Sequence, residues 1–174
     1  MYKAIGVGWS KGNQLRDGLK RKGLIVEIET RMGRGGRLAK FFIPTFEALQ
    51  RLDKEPPPGR GGAVHRYVQQ MVVEGAKAKG YQAQVERPIP GGAVDVHLEK
   101  GGQRIGIEIA VTSKPERELV HMRNLLEAGY DRVITVFADE GLMGRTQGAM
   151  TGIFSDGELA RIRLIPLNKL TGSL

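Results

Sequence analysis

Two strand-like runs joined by a glycine turn constrain the fold of this chain more than any other feature. The run AVDVHL lies before a Lys100-Gly101-Gly102 turn, and the run IGIEIAV lies after it. Each run carries one acid among apolar residues, Asp95 in the first and Glu108 in the second. Burying an unpaired charge is costly, so both acids are expected to meet groups that neutralise them. The pattern predicts a β-hairpin that carries a polar site.

The segments around this hairpin predict a domain of the mixed α/β class. Apolar residues at helical spacing, closed by glycines, predict helices, and alternating or continuous apolar runs predict strands. The predicted elements are a helix 63–79, strands 81–87, 93–99 and 104–111, a helix 115–128, a strand 132–138, a short helix 139–147 and a strand 162–166. The continuous apolar run at 132–138 is typical of a buried central strand.

This order of elements, with Asp95 on its second strand and Glu108 on its third, resembles the PD-(D/E)XK nuclease superfamily of restriction-like nucleases and Holliday junction resolvases. The resemblance covers about residues 63–138 and implies a restriction-endonuclease-like αβββαβ core. It implies that the two acids share Mg²⁺ or Mn²⁺, since hard cations prefer oxygen ligands. By the family pattern, the backbone carbonyl of Ile109 is a further metal ligand. The implied activity is hydrolysis of phosphodiester bonds in DNA.

The chain departs from that family at two positions. The family usually has a lysine two residues after its Glu, where this chain has Ala110, and Lys114 at the end of the strand is expected to take over that charge. The family often has a Glu on the first helix, where this chain carries His65, Gln69 and Gln70, and Gln69 is best placed for the catalytic role. A catalytically inactive nuclease-fold module, for DNA binding or partner docking in a recombination or mobile-element system, is therefore the alternative.

The polar residues near the strands also allow simpler roles than a metal site. Asp95 and Glu108 could form surface ion pairs with Arg104 and Lys100, although apolar neighbours on both sides argue against their exposure. His121 is expected to be an exposed residue of the helix 115–128.

The first third of the chain holds nearly all of its excess positive charge. Residues 1–60 contain 13 Lys and Arg against 6 Asp and Glu, whereas residues 61–174 contain 14 against 13. A helix 10–23, strands 24–30 and 38–43 around a basic turn, and a helix 44–52 are predicted there. Such asymmetry is typical of a nucleic-acid-binding segment.

Over about residues 8–52 this basic segment resembles the recognition helix and wing of a winged-helix DNA-binding domain, whose helix enters the major groove. Few residues precede Ser10, so the chain is expected to be the C-terminal piece of a longer protein or to be completed by a partner. The alternative is a basic hairpin that docks on the rest of the protein. The residues expected to contact DNA are Lys11, Arg16, Lys20, Arg31, Arg34, Arg37 and Lys40.

Composition predicts the domain boundaries of the chain and its location in the cell. A winged-helix-like unit 1–54, a Pro/Gly linker 55–62 and a nuclease-like domain 63–174 are predicted. The chain has no cysteine, so disulfides and thiolate metal sites are excluded. No signal-like segment or apolar run of about 20 residues is present, and a cytoplasmic location without membrane contact is expected. The expected partners are branched or duplex DNA, an ATPase or relaxase, and a second copy in a homodimer.

Overall fold

A computed structural model of the chain describes residues 6–31, 38–55, 57 and 59–172, and the mixed α/β class is confirmed. The described elements are the helices α1 to α6, the strands β1 to β7 and a terminal 3₁₀ helix. They run α1 Trp9–Arg21, β1 Ile25–Arg31, β2 Leu38–Pro44, α2 Phe46–Arg51, α3 Ala63–Ala78, β3 Gln82–Ile89, β4 Gly92–Lys100, β5 Gln103–Ala110, α4 Pro115–Glu127, β6 Arg132–Phe137, α5 Glu140–Met150, α6 Asp156–Leu159, β7 Ile162–Pro166 and the 3₁₀ helix Leu167–Gly172.

The chain falls into two compact units, one drawn from residues 1–29 and 40–56 and the other from residues 30–39 and 57–174. In the first unit Gly23 follows the C-terminal end of α1, and its φ of +65° allows the Leu24 N–H to donate to the Leu19 carbonyl at 2.9 Å. The Thr45 hydroxyl donates to the Gly23 carbonyl at 2.9 Å and accepts from the Ala48 N–H at 3.3 Å. Thr45 thereby caps α2 and fixes its start to the end of α1.

The second unit is built on a five-stranded sheet of order β3-β4-β5-β6-β7. The β3, β4 and β5 strands pair antiparallel, while β5, β6 and β7 pair parallel. One apolar cluster includes Val68 and Val72 of α3 and the sheet residue Ile107. The other includes Met122 of α4 and Phe137 of β6. The sheet is thus covered on both faces, which explains the continuous apolar run of β6.

Within the described ranges, none of the helices combines the length and hydropathy that a membrane span requires.

Candidate functional site

The two acids lie where the β4–β5 hairpin opens. Backbone pairing between these strands runs from Lys100 and Gln103 to Val96 and Ile107 and stops there. Asp95 and Glu108 would form the next pair in this register. In place of a ladder bond, the Ile109 N–H donates to Oδ2 of Asp95 at 2.8 Å. The opening therefore sets two carboxylates on adjacent strands beside each other.

Asp95 is held by a histidine of α3. The Nε2 atom of His65 lies 2.9 Å from Oδ2 of Asp95, and its Nδ1 atom lies 3.2 Å from the Arg60 carbonyl. Both ring nitrogens thus face acceptors, an arrangement that suits the doubly protonated imidazolium. Burial lowers the pKa of His65, but the hydrogen bond and charge of Asp95 outweigh burial and leave that pKa above 6.5.

Glu108 is held by a histidine of α4. The Nδ1 atom of His121 lies 3.0 Å from Oε2 of Glu108, which is 4% exposed. Burial, together with the charge of Asp95, raises the pKa of Glu108 to about 7, although the His121 hydrogen bond opposes that rise. The same bond raises the pKa of His121. The expectation of an exposed His121 is wrong, because its side chain is half-buried against Glu108.

A buried amide network lies next to Asp95. The Nε2 group of Gln69 donates to Oε1 of Glu86 at 2.9 Å and to the Asp95 carbonyl at 3.2 Å. Its Oε1 atom is buried and has no hydrogen-bond partner among the described residues. Glu86 adopts a left-handed φ of +54°, and it also accepts from the Arg60 N–H at 3.1 Å. A Cβ atom at Gly59 would lie 2.3 Å from Oε1 of Gln69. Residues 59 and 60 thus fit closely against this network.

The position of the family's usual lysine, Ala110, and its predicted substitute, Lys114, do not contact the acids. Ala110 is 1% exposed and packs in the apolar cluster that contains Met122. Lys114 is exposed at the N-terminus of α4, and no hydrogen bond or ion pair joins its ammonium group to either acid in the described part of the chain. The structure therefore brings together Asp95, Glu108, Ile109 and Gln69 and leaves Lys114 apart.

Neither cation proposed for a surface ion pair reaches the acids. Lys100 donates to the Lys79 carbonyl at 2.7 Å, and Arg104 donates to the Gly129 carbonyl. That alternative is wrong, because the half-buried Asp95 and the buried Glu108 are paired with the two histidines instead.

The donor atoms at the hairpin opening fit a hard cation held partly by water. Asp95 and Glu108 each use one carboxylate oxygen in the bonds above, and the other oxygen has no hydrogen bond within the described ranges. Among the described residues no three His, Asp or Glu side chains form a metal-binding group. Mg²⁺ is compatible with this set, since it commonly takes one or two carboxylates and keeps several waters.

The basic residues of the first unit are partly neutralised by its own acids. Lys40 pairs with Glu27 at 2.6 Å, and Lys20 pairs with the same carboxylate. The hydrogen bonds from Lys20 and Lys40 lower the pKa of Glu27 to about 2, and the bond from Lys20 has the larger effect. Arg16 pairs with Asp17 at 2.8 Å and lies 5.9 Å from the centre of the Phe42 ring.

The remaining residues predicted to contact DNA either have no ion pair with a described residue or lie outside the described ranges. Lys11 is exposed on α1 and makes no ion pair within the described ranges. Arg31 is the last residue of β1. Arg34 and Arg37 lie outside the described residues, so the predicted wing contacts stay predictions.

No protein-family model and no curated protein matches the chain. Similar solved structures include AF1548, a protein of unknown function, at 16% identity and TM-score 0.37, with 56% of this chain and 55% of that chain covered. VC1899 from Vibrio cholerae is 14% identical at TM-score 0.44, with 95% of this chain and 41% of that chain covered. SfsA from Pyrococcus furiosus, solved with Ca²⁺, is 11% identical at TM-score 0.34, with 80% of this chain and 86% of that chain covered.

The chain spans about half the length of AF1548 and about two fifths of VC1899. All three TM-scores lie below 0.5, so these likenesses carry no conclusion about activity.

Proposed function

We propose that this chain binds DNA and that its second unit is a divalent-cation-dependent endonuclease of the PD-(D/E)XK type. The observation that supports it best is the meeting of Asp95 and Glu108 at the hairpin opening. Two carboxylates so close, one of them buried, repel each other unless a proton or a cation lies with them. The raised pKa of Glu108 reflects that repulsion as well as burial.

Asp95, Glu108 and the carbonyl of Ile109 would hold Mg²⁺ or Mn²⁺ there. When bound, the cation supplies Lewis-acid chemistry at a phosphodiester. The chain itself must release the proton of Glu108, and His121, 3.0 Å away, is the neighbouring base that can accept it. His65 and the Ile109 N–H keep the Asp95 carboxylate oriented toward the opening.

Besides the cation, the family pattern includes a positively charged side chain near the acids, and two residues of this chain are candidates for that role. Lys114 is the residue expected from the sequence, and it is exposed one position before α4. His121 contacts Glu108 directly and has a raised pKa. Comparing Lys114→Ala with His121→Ala decides between them. Removing the residue that acts in the transition state should lower the cleavage rate without lowering DNA affinity.

A nuclease-fold module without catalytic activity is the second candidate function. It is favoured by the burial of Ala110 among apolar residues and by the amide of Gln69, whose donor group is fully used by Glu86 and the Asp95 carbonyl. In this case the buried polar network stabilises the fold and the basic first unit provides the DNA affinity. An ATPase or relaxase partner and a homodimer remain predictions for either function.

Cleavage of four-way-junction and linear duplex DNA, with Mg²⁺, Mn²⁺ or EDTA, tests the proposal. We expect cation-dependent cleavage by the wild type, and Asp95→Asn and Glu108→Gln should each lower the rate at least about a hundredfold. Glu127→Gln, an exposed acid at the end of α4, is the matched control and should cleave normally. No cleavage with any cation, alongside intact DNA binding, would favour the inactive module.

DNA binding by the first unit is tested through Glu27. Replacing it by Gln frees Lys20 and Lys40 from their shared carboxylate. We expect Glu27→Gln to raise duplex affinity roughly twofold to tenfold and to steepen its dependence on salt concentration. Glu47→Gln, which releases Arg51 in the same unit, is the control. An unchanged salt dependence in Glu27→Gln would remove Lys20 and Lys40 from the DNA interface.

A further inference from the structure

A cavity of about 280 Å³ opens at the starts of β6 and β7, in the second unit. Its apolar floor includes Leu98, Ile105 and Ile134, which belong to the core cluster on the α3 face of the sheet. The Tyr81 ring also lines it. Small-molecule sites range over about 300–1,000 Å³, so a cavity of about 280 Å³ lies at the lower edge of that range and suits one small group, such as the base of a nucleotide.

Three arginines line the cavity around this floor. Arg132 is the first residue of β6, while Arg161 and Arg163 lie at the start of β7. Arg161 is held by the backbone, since its guanidinium donates to the carbonyls of Tyr130 and Asp131. The side chains of Arg132 and Arg163 are exposed and make no hydrogen bond or ion pair within the described part of the chain.

Two acids near these arginines, Asp131 beside Arg132 in the sequence and Glu158 close enough to Arg161 to interact with its charge, already have hydrogen-bond partners. The Asp131 carboxylate accepts from the Arg104 N–H at 2.7 Å. Glu158 pairs with Arg123 and accepts from the Ser155 N–H at 2.7 Å. Lys100 adds further positive charge, since its Nζ atom lies 5.2 Å from the centre of the Tyr81 ring. The three arginines and Lys100 outnumber these two acids, so the excess positive charge attracts an anion to the cavity.

We infer that this cavity binds a nucleotide, with the base against the apolar floor and the phosphate on Arg132, Arg161 and Arg163. Guanidinium groups match phosphate geometry with paired N–H donors, and the pinned Arg161 needs little further ordering. A bare phosphate would leave the floor uncovered, whereas an apolar ligand would leave the arginines unbalanced. The nucleotide could be free or could belong to a nucleic-acid strand. This inference does not depend on the proposed cleavage, because Asp95 and Glu108 do not line the cavity.

Calorimetric titration with AMP, a deoxyadenylate decamer and inorganic phosphate, all in EDTA, tests the site. The Arg132→Ala/Arg163→Ala variant should bind AMP at least about tenfold more weakly than the wild type. Ala160→Phe, which fills the cavity without changing charge, should weaken AMP binding similarly but leave phosphate binding unchanged. Arg145→Ala, an exposed arginine of α5, is the control and should bind as the wild type does.

The two ligands distinguish the source of the nucleotide. If the double variant loses affinity for the decamer but not for AMP, the bound nucleotide belongs to a nucleic-acid strand. If it loses affinity for AMP, a free nucleotide is sufficient for binding. Equal affinities of wild type and double variant for both ligands, or no binding of either at millimolar concentration, would overturn the inference. Amide chemical shifts of the wild type give a check that needs no variant: AMP should perturb Arg132, Ile134 and Arg163 before other residues.

Discussion

The two ends of the five-stranded sheet carry side chains of opposite charge, and they differ in whether those side chains are paired within the chain. At the hairpin opening, the half-buried Asp95 and the buried Glu108 each lie within hydrogen-bond distance of a histidine of the same chain. At the starts of β6 and β7, Arg132 and Arg163 are exposed and neither forms an ion pair with a described residue. When no ligand is present, the carboxylates of the acidic end can be neutralised by protons shared with the histidines. The arginines of the basic end can be neutralised only by solvent ions or a ligand.

The largest test of this contrast is cation binding at the acidic end. At pH 8 and a Mn²⁺ concentration one hundred times its dissociation constant, folding should be stabilised by about 2.7 kcal/mol. Asp95→Asn should abolish the resulting rise in melting temperature, because it removes one of the two carboxylates. Asp131→Asn, at the basic end, serves as control and should retain the rise. A rise that survives Asp95→Asn would place the cation elsewhere.

A smaller effect is expected from pH. Glu108 and His121 both have raised pKa values, so the folded chain binds more protons than the unfolded chain between the ordinary and the raised values. Stability should therefore fall as pH rises, by roughly 2 kcal/mol between pH 5.5 and 8 through Glu108. Glu108→Gln should flatten this dependence in urea unfolding, whereas Glu127→Gln should leave it intact. A wild type that is equally stable at both pH values would contradict the burial and repulsion assigned to Glu108.

The smallest effect belongs to the basic end. Because Arg132 and Arg163 are like charges on neighbouring strands and neither forms an ion pair with a described residue, removing both should stabilise the free protein by a few tenths of a kcal/mol at low salt. The gain should disappear in 0.5 M salt, where exposed charges are screened over about 4 Å. Thermal unfolding of Arg132→Ala/Arg163→Ala at both salt concentrations measures it. A loss of stability at low salt would mean that these arginines have a balancing contact.

The fold was largely accessible from the sequence because its signals are local. Apolar spacing and a closing glycine predicted a helix over 63–79, and α3 runs Ala63–Ala78. The glycine turn predicted the hairpin of β4 and β5, since Gly101 and Gly102 both adopt positive φ. Such cues act within a few residues along the chain and do not depend on how helices pack on the sheet.

The surroundings of the acids were less accessible, because they depend on contacts between distant residues. His121 follows Glu108 by 13 positions and His65 precedes Asp95 by 30, so neither pair has a sequence signature. The helical pattern of α4 alone placed His121 on the solvent side. The arginine cavity likewise arises only when β6 and β7 lie side by side. A periodic pattern identifies a face of an element but not its neighbour.

The close approach of Gly59 to Gln69 has a practical consequence for protein engineering. By composition, residues 55–62 are predicted to be a Pro/Gly tether, and the residues of such a tether are expected to be exchangeable. Gly59, however, has a φ of +114°, and any Cβ atom there would overlap the Gln69 amide, whereas Gly62 has open space around it. Insertions, affinity tags or protease sites meant to separate the two units therefore belong ahead of residue 59, and a swap of the whole tether for a generic Gly/Ser sequence would have to keep Gly59 in place.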